Sequence, residues 1–162
     1  MVRASVNSDS EVLHLLLNEI IKTGGSTAME NPLSATDFEI HFLSGTNFIC
    51  CHTAENEEGE LVGFQSLGIH SKLPKGWADI ATFARLSPKT PGVGTALFQT
   101  TVAYAREFKF KSINATIRAD NVSGLAYYSK MGFTDYSTDK AVPLNDGTLI
   151  DRLSKKLDLR RV

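Results

Sequence analysis

A glycine-containing turn that runs directly into an amphipathic pattern is the segment of this sequence with the clearest chemistry. Residues 89–98 read KTPGVGTALF, and Gly92 and Gly94 allow the backbone to approach an anion closely. A helix that opens at this turn would point free N–H groups and the positive end of its dipole at the anion. The segment therefore predicts a site for the phosphate groups of a ligand, although such a turn also serves as a plain helix start.

Two common phosphate-binding motifs do not fit this turn. A Walker loop ends in Gly-Lys-Ser/Thr, whereas Gly94 is followed by Thr95 and Ala96. A dinucleotide fingerprint requires a third glycine, but Leu97 occupies that position. It also requires an acidic residue at the end of the next strand, but the next predicted strand ends in Arg118. These mismatches argue against a nucleoside triphosphatase and against a dinucleotide-binding enzyme.

Length and charge limit the classes of protein that this sequence can encode. The chain has 162 residues, which suits one domain over residues 1–162. Its 17 basic and 18 acidic residues are interspersed and give a net charge of −1, so no basic surface for nucleic acid is expected. No apolar run approaches the roughly 20 residues that span a bilayer. We expect a protein without nucleic-acid or membrane partners.

The two cysteines indicate a reducing compartment. Cys50 and Cys51 are adjacent, so a disulfide between them would be strained, and they do not have the spacing of metal ligands. We expect buried or half-buried thiols in a strand, no metal site and a cytoplasmic location.

Hydrophobic periodicity places the glycine turn within a series of helices and strands. Capping boxes at Ser8/Glu11 and Thr36/Glu39 predict two helices, which end at 23–25 and near Gly45, with a loop at 26–35 between them. Strands are predicted at 47–54, 60–69, 78–86, 112–118 and 148–157, with a hairpin turn at 55–59, and further helices run from the glycine turn to about 108 and from 120 to 131.

The strand before the glycine turn, the helix after it and the next strand predict a right-handed parallel unit. A ligand should lie at the carboxyl ends of its two strands. The apolar face of the helix is expected to contain Val93, Ala96, Leu97, Thr100 and Tyr104. The whole pattern predicts an α/β fold: a mixed sheet with helices on both sides.

Two blocks of the sequence resemble the GNAT superfamily of acyl-CoA-dependent N-acyltransferases. They are ADIATFARLSPKTPGVGTALF at 78–98 and IRADNVSGLAYYSKMGF at 117–133. The first contains the family's pyrophosphate loop, Gln/Arg-x-x-Gly-x-Gly/Ala, with Lys89 in place of Gln or Arg and Pro91 lacking an N–H. The resemblance covers most of the chain and implies a mostly antiparallel twisted sheet with one parallel strand pair.

The resemblance also implies the residues that bind acetyl-CoA. Asn121 would lie near the pantetheine arm, although it also suits a helix N-cap, and Tyr128 would lie beside the thioester sulfur. Tyr127 stands where the family has an aliphatic residue and is expected to be a half-buried packing residue. The full predicted set for the coenzyme is Phe83, Ala84, Lys89, Thr90, Gly92, Val93, Gly94, Thr95, Asn121 and Tyr128.

Acetyl transfer to an amine requires a base, an oxyanion donor and an acid. By resemblance, a backbone N–H around Phe83 and Ala84 would bind the oxyanion, and the Tyr128 phenol would protonate the departing thiolate. Asp79 occupies the position where many relatives have a glutamate base, but it also suits a solvated strand position. The alternative bases are His41, His52 and His70.

The acceptor and the assembly state are less well determined. Thr27, Met29 and Pro32 loosely resemble the substrate-proximal loop of amino-acid and phosphinothricin-type acetyltransferases. This leaves an amino acid, an aminoglycoside-like amine, a polyamine or a protein N-terminus as the acceptor, with a small-molecule amine preferred. A non-catalytic acyl-CoA-binding regulatory module is the alternative function, and homodimers through the last strands are common in this architecture.

Overall fold

The computed structural model describes residues 1–160 and contains one seven-stranded sheet with helices on both faces. The strands are β1 (Val2–Ala4), β2 (Phe48–Glu55), β3 (Leu61–Gly68), β4 (Trp77–Ala84), β5 (Ser112–Arg118), β6 (Thr134–Pro143) and β7 (Leu149–Asp158). The helices are α1 (Ser10–Thr23), α2 (Ala35–Phe38), α3 (Val93–Glu107) and α4 (Val122–Lys130). The spatial order is β1-β2-β3-β4-β5-β7-β6, and only β4 and β5 pair in parallel. The predicted mixed, mostly antiparallel sheet is confirmed.

Two strands were not expected from the sequence. β1 has only three residues, too few for a periodic pattern. β6 lies at the far edge of the sheet, and nine of its ten residues are exposed, so it has no buried face to produce alternation. Short strands and exposed edge strands are the elements that hydrophobic periodicity detects least well.

The start of α1 differs from the predicted capping box at Ser8 and Glu11. A 3₁₀ turn precedes the helix, and Ser8 is exposed in it. Asp9 supplies the carboxylate instead, accepting a hydrogen bond from the Val6 N–H at 2.9 Å and two from the Arg3 guanidinium at 2.8 and 2.9 Å. The predicted box is wrong because Arg3, which lies in the unpredicted β1, holds Asp9 at this helix start.

The second predicted capping box is also wrong. The hydroxyl of Ser34 accepts a hydrogen bond from the Asp37 N–H at 3.0 Å, so the N-cap lies two residues before Thr36. Helix α2 continues into a π-helical turn, Glu39–Ser44, which ends at Gly45 as expected.

The sheet has a different core on each face. On the α1 face, the buried side chains include Leu13, Leu17, Phe38, Phe42, Cys51, Phe64 and Phe83. On the α3/α4 face, they include Cys50, Ala78, Ile80, Phe98, Ala105, Ile113, Ala115, Tyr128 and Phe133. Alternation along β4 therefore divides its side chains between two separate environments.

Helix α3 is rotated relative to the predicted apolar stripe. Its buried residues are Val93, Leu97, Phe98, Thr101 and Ala105, whereas Ala96, Thr100 and Tyr104 are only half-buried. Phe98 lies against Phe133, with ring centroids 5.7 Å apart. Contact with this aromatic ring from the end of α4 explains the rotation.

The start of α3 packs very closely on β3. A Cβ placed on Gly63 would lie 2.8 Å from the Phe83 carbonyl oxygen and 2.8 Å from Val93 Cγ1. Only glycine allows this approach, so Gly63 holds the first turn of α3 against the sheet.

Both cysteines are buried and free, as the sequence predicts. Burial raises the pKa of each thiol to about 12, so neither is a nucleophile near neutral pH. Within residues 1–160, the helices are all too short or too polar to cross a bilayer.

Candidate active site

The parallel strands β4 and β5 separate after a short paired segment. Pairing covers Trp77 to Asp79 on β4 and Ser112 to Asn114 on β5. Beyond it, β4 continues along β3, while β5 continues along β7 to Arg118. The carboxyl halves of the two strands therefore diverge and leave an opening through the sheet, with the edge of β4 unpaired.

Alternation along β4 determines which N–H groups point into this opening. The Arg85 N–H donates to the Val62 carbonyl on β3 at 2.8 Å. Because N–H groups two residues apart point the same way, the Phe83 N–H also faces β3, whereas those of Thr82 and Ala84 face the opening. Of the two predicted oxyanion donors, Ala84 has the suitable direction and Phe83 does not.

The glycine turn leads into α3 beside this opening, as predicted. Gly92 is the N-cap residue and adopts a left-handed conformation, with φ of 79°. The first hydrogen bond at this helix start is from the Ala96 N–H to the Gly92 carbonyl, and the N–H groups of Val93, Gly94 and Thr95 have no partner within residues 1–160. These free N–H groups lie at the helix start where the sequence predicts an anion site.

The side chains of the predicted loop residues contribute differently. Val93 is buried against β2 and β3 residues, so only its backbone is available to a ligand. Lys89 is exposed and Thr90 is half-buried. The exposed lysine charge and the backbone N–H groups therefore lie on the same loop.

Tyr127 fixes the conformation of this loop. Its hydroxyl donates a hydrogen bond to the Gly94 carbonyl at 2.7 Å. A Cβ on Gly94 would lie 2.7 Å from Tyr127 Cε1, so the ring fits against the loop only because residue 94 is glycine. The predicted half-buried packing position of Tyr127 is confirmed, and the contact also ties α4 to the start of α3.

A groove of about 910 Å³ lies along the glycine turn on the side of the β2–β3 turn. Glu55, Glu57, Glu58 and Glu60 line it, together with Lys89 of the loop. Glu55 is paired with Arg3 and Glu60 with Arg85, each at 2.8 Å. Gly92 and Val93 line the same groove, so the helix start lies beside it.

Tyr128 lies next to the opening on the α3/α4 face. Its side chain is buried, and its hydroxyl is 2.8 Å from the Thr82 hydroxyl on β4. Burial, with smaller contributions from Tyr127 and Asp79, raises the pKa of Tyr128 above that of a free phenol. Tyr128 is therefore protonated at neutral pH and can act as a proton donor.

Gln65 organises these hydroxyl groups and was missed by the sequence reasoning. Its fully buried side chain donates from Nε2 to the Thr82 hydroxyl at 2.9 Å and to the Tyr127 hydroxyl at 3.1 Å. Since the Tyr127 hydrogen is given to Gly94, the atom of Gln65 that faces Tyr127 has to be a donor. The other amide atom, Oε1, has no partner within residues 1–160. A glutamine inside the apolar β3 run was the available signal.

Asn121 is the N-cap of α4. Its Oδ1 accepts from the Gly124 N–H at 3.0 Å, and its Nδ2 donates to the Ser26 carbonyl at 3.2 Å. A Cβ on Gly124 would lie 2.3 Å from Nδ2, which explains the small residue there. The capping alternative is confirmed, and Asn121 joins the loop after α1 to the entrance of α4.

Asp79 lies at the last paired position before the strands diverge, with its side chain on the α1 face. The Asn114 Nδ2 donates to its carboxylate at 2.8 Å, and the Tyr136 hydroxyl donates to Asn114 Oδ1. Burial raises the pKa of Asp79 above its usual range, although the Asn114 hydrogen bond and the His70 charge oppose this effect. A raised carboxyl pKa is suited to a general base.

Of the three candidate histidines, His70 lies close enough to Asp79 for its charge to act on that carboxylate, whereas His41 and His52 lie elsewhere. His41 is exposed beside Phe42, and the His52 Nδ1 is 3.3 Å from the Thr101 hydroxyl under α3. The His70 Nδ1 accepts from the Lys72 N–H in the exposed turn after β3. Asp79 is the candidate base that lies next to the strand opening.

Comparisons with known proteins agree with this geometry. A sequence model described as "Acetyltransferase (GNAT) family" matches residues 19–133. A search of curated proteins finds no match.

Solved structures share the fold at low sequence identity. A ribosomal-protein-alanine N-acetyltransferase from Brucella melitensis is 20% identical with a TM-score of 0.83, over 98% of this chain and 99% of its own. An N-acetyltransferase from Staphylococcus aureus Mu50 is 19% identical with a TM-score of 0.84, over 98% of each chain. A phosphinothricin acetyltransferase from Sinorhizobium meliloti, solved in complex with AcCoA, is 17% identical with a TM-score of 0.84, over 98% of this chain and 87% of its own.

The family match extends from α1 to the end of α4 and includes both the glycine turn and the Tyr128 helix. Because that match covers more than half of the sequence, the chain belongs to the GNAT family of acetyltransferases.

Proposed function

We propose that the protein is an acetyl-CoA-dependent N-acetyltransferase that acts on a primary amine of a small molecule, such as an amino acid, by direct attack in a ternary complex. The observation that carries this proposal is the opening between β4 and β5, with Tyr128 on one face of the sheet and Asp79 on the other. A proton donor and a proton acceptor are thereby available to two reactants that meet in the opening from opposite faces.

Acetyl-CoA would be held mainly by backbone groups. The N–H groups of Gly92, Val93, Gly94 and Thr95 suit the pyrophosphate, with Lys89 and Thr90 beside them. The unpaired edge of β4 suits the amide groups of the pantetheine arm, and Asn121 lies at the adjacent helix start. The AcCoA complex of the Sinorhizobium acetyltransferase, which has the same fold, supports this cosubstrate.

Each step of the transfer has a candidate residue. Acetyl-CoA supplies the acetyl group as a thioester. Asp79, directly or through a water, accepts the proton that an ammonium group has to lose before its nitrogen can attack. The Ala84 N–H, which faces the opening, donates to the oxyanion that develops on the carbonyl. Tyr128 donates its phenolic proton to the departing thiolate of CoA.

The acetyl transfer is tested by the release of CoA thiol with a broad panel of amines, in parallel with calorimetric titration of acetyl-CoA. We expect tight acetyl-CoA binding and thiol release with some amines. Binding without transfer to any amine would contradict the proposed enzyme and favour a regulatory acyl-CoA-binding module.

We also propose that the protein acts in the cytoplasm, where its two free thiols would stay reduced.

A homodimer through β6 and β7 is the expected assembly, because the outer edge of β6, a ten-residue strand at the end of the sheet, is unpaired in residues 1–160. The mass in solution, measured by light scattering, tests this assembly.

A further inference from the structure

Two arginines lie side by side on the face of the sheet that carries Asp79. Arg118 on β5 is directly opposite Arg152 on β7 in the antiparallel register. Opposite residues of an antiparallel pair project from the same face, with Cβ atoms about 4.5–5.5 Å apart. The bond of 3.0 Å between the hydroxyls of Thr116 and Ser154, one pair further along on the same face, verifies this alignment.

The charge of Arg118 is already balanced. Its side chain is 8% exposed and donates two hydrogen bonds to the carboxylate of Asp120, at 2.9 and 2.8 Å. A third hydrogen bond, of 3.2 Å, goes to the Thr27 carbonyl in the loop after α1. Arg118 is therefore fixed in position by protein groups.

Arg152 has no such partner. It is half-buried, and it forms no ion pair or side-chain hydrogen bond with any residue that the structure describes. Asp139 is opposite it on β6 but forms no ion pair with it, and Glu30, the acidic residue of the nearby loop, accepts a hydrogen bond from the Asn145 N–H. One guanidinium on this face thus has no carboxylate within ion-pair distance among residues 1–160.

This arrangement favours an anion. Like charges at directly opposite positions in a sheet repel each other, and a half-buried guanidinium without an acceptor loses hydration without compensation. The planar guanidinium has donors in a fork that matches a carboxylate. A carboxylate at Arg152 would remove both costs.

The arginine pair lies at the level of the expected reaction centre. Asp79 is level with Asn114 at the last paired position. Counting equal numbers of residues along the two diverging strands places Arg118 about as far beyond this pair as Phe83 is. In the proposed reaction the Ala84 N–H binds the thioester oxygen and Asp79 receives the amine proton, directly or through water, so the amine lies along the stretch of β4 between these two residues. Thr116 is the exposed residue of β5, so the surface between Asp79 and the arginines is open.

We infer that Arg152, next to the fixed Arg118, binds the carboxylate of the acceptor, so that the substrate is an amino acid with a free carboxylate. A polyamine or an aminoglycoside, which carries only positive charges, is repelled by Arg152. The inference rests on the proposed N-acetyltransferase function and specifies the substrate class of that site.

The test compares L-amino acids with their carboxamides in the thiol-release assay, using the wild type and Arg152→Met. Because a charge-assisted bidentate contact contributes about 1.5–3 kcal/mol, we expect the substitution to lower kcat/KM for the acids by roughly 10- to 100-fold. The carboxamides should be poor substrates of both proteins and change little. Arg152→Lys should recover part of the activity, since it keeps the charge but loses the fork.

Arg106→Met is the matched control, because Arg106 is an exposed arginine on α3 without a side-chain partner in residues 1–160. It should leave both substrate classes unchanged, and acetyl-CoA affinity should be unchanged in all variants. Equal losses of kcat/KM for acids and carboxamides in Arg152→Met, or no loss for either, would overturn the carboxylate site. The N-acetyltransferase function would still stand.

A failure of the proposed function gives a different result. If no amine is acetylated, the binding of L-amino acids to the protein saturated with CoA is measured by calorimetry. Binding that Arg152→Met abolishes would support the site independently of turnover, and the absence of binding would overturn it.

Discussion

The hydroxyl groups of Tyr128 and Thr82 lie 2.8 Å apart, and Thr82 also accepts a hydrogen bond of 2.9 Å from Gln65. With one acceptor position of Thr82 occupied by Gln65, its hydrogen is free to point at Tyr128. The Tyr128 hydrogen can then point into the opening between β4 and β5. Gln65 and Thr82 are thus positioning residues for the proposed acid.

Tyr128→Phe removes the proton donor and keeps the ring. We expect kcat to fall by about 100-fold or more, as is typical for the loss of a general acid, with acetyl-CoA affinity within about twofold of the wild type. Steady-state kinetics and calorimetry measure the two quantities. Tyr104→Phe, which removes a hydroxyl at the far end of α3, is the control. Equal losses of turnover and affinity would rule out the acid role.

Gly94→Ala should weaken acetyl-CoA binding by displacing Tyr127 from the loop. Overpacking costs about 1–3 kcal/mol, which corresponds to a loss of affinity of roughly tenfold. In the background of Tyr127→Leu, which makes room for the new methyl group, the same substitution should cost less, because contacting residues couple. Calorimetry on the four proteins measures this coupling, and strictly additive effects would contradict it.

Asn114→Ala should shift the acid limb of the pH profile. Asp79 acts as a base only when it is ionised, and the Asn114 N–H stabilises its carboxylate. Removing that donor raises the pKa of Asp79 further, so the rise of kcat/KM with pH should occur at a higher pH than in the wild type.

Tyr136→Phe is the matched control for this pH experiment. It removes the hydroxyl that contacts Asn114 but keeps the contact between Asn114 and Asp79. If the acid limb of the kcat/KM profile does not shift in Asn114→Ala, Asp79 is not the base. The same holds if this limb shifts equally in Tyr136→Phe.

Asp9→Asn should destabilise the fold without affecting the site. Burial disfavours the Asp9 carboxylate, but hydrogen bonds from Arg3 and from the Val6 N–H outweigh this and lower its pKa. At pH 7 we expect the free energy of unfolding to fall by about 1.5–3 kcal/mol, the range for hydrogen bonds to charged groups.

The pH dependence of this effect has a defined sign. Because the folded-state pKa of Asp9 is lowered, its contribution is complete above the unfolded pKa near 3.9 and is lost as the pH falls through the folded value. The difference in urea-unfolding free energy between the wild type and Asp9→Asn should therefore shrink towards about pH 3. Asp37→Asn, at an exposed carboxylate, should have no effect at either pH.

Local sequence was sufficient for much of the architecture. The glycine turn, the α3 and α4 helices and five of the strands were predictable, because each depends on residue periodicity and on conformations that glycine favours. The Asn121 cap was also predictable, because asparagine is a favoured N-cap residue. The helix starts at Ser10 and Ala35 were not. Asp9 is held by Arg3 from a strand that has no periodic signal, and Ser34 instead of Thr36 caps α2.

The candidate site was only partly predictable. The resemblance singled out Tyr128, Asp79 and the loop residues, whose motifs are contiguous. Tyr128 and Thr82 are 46 residues apart in sequence, and Gln65 and Tyr127 are 62 apart. Their contacts depend on how the helices pack against the sheet, which no local pattern records.

The sequence by itself determined a glycine turn before a helix and the alternation that gives each strand two faces. Only the tertiary structure decided what those faces contact. Strand pairing in register opposes Arg118 to Arg152, and the divergence of β4 from β5 turns the Ala84 N–H to an open edge. Such relationships arise from the pairing of distant segments, and a one-residue change of register would move each side chain to the opposite face.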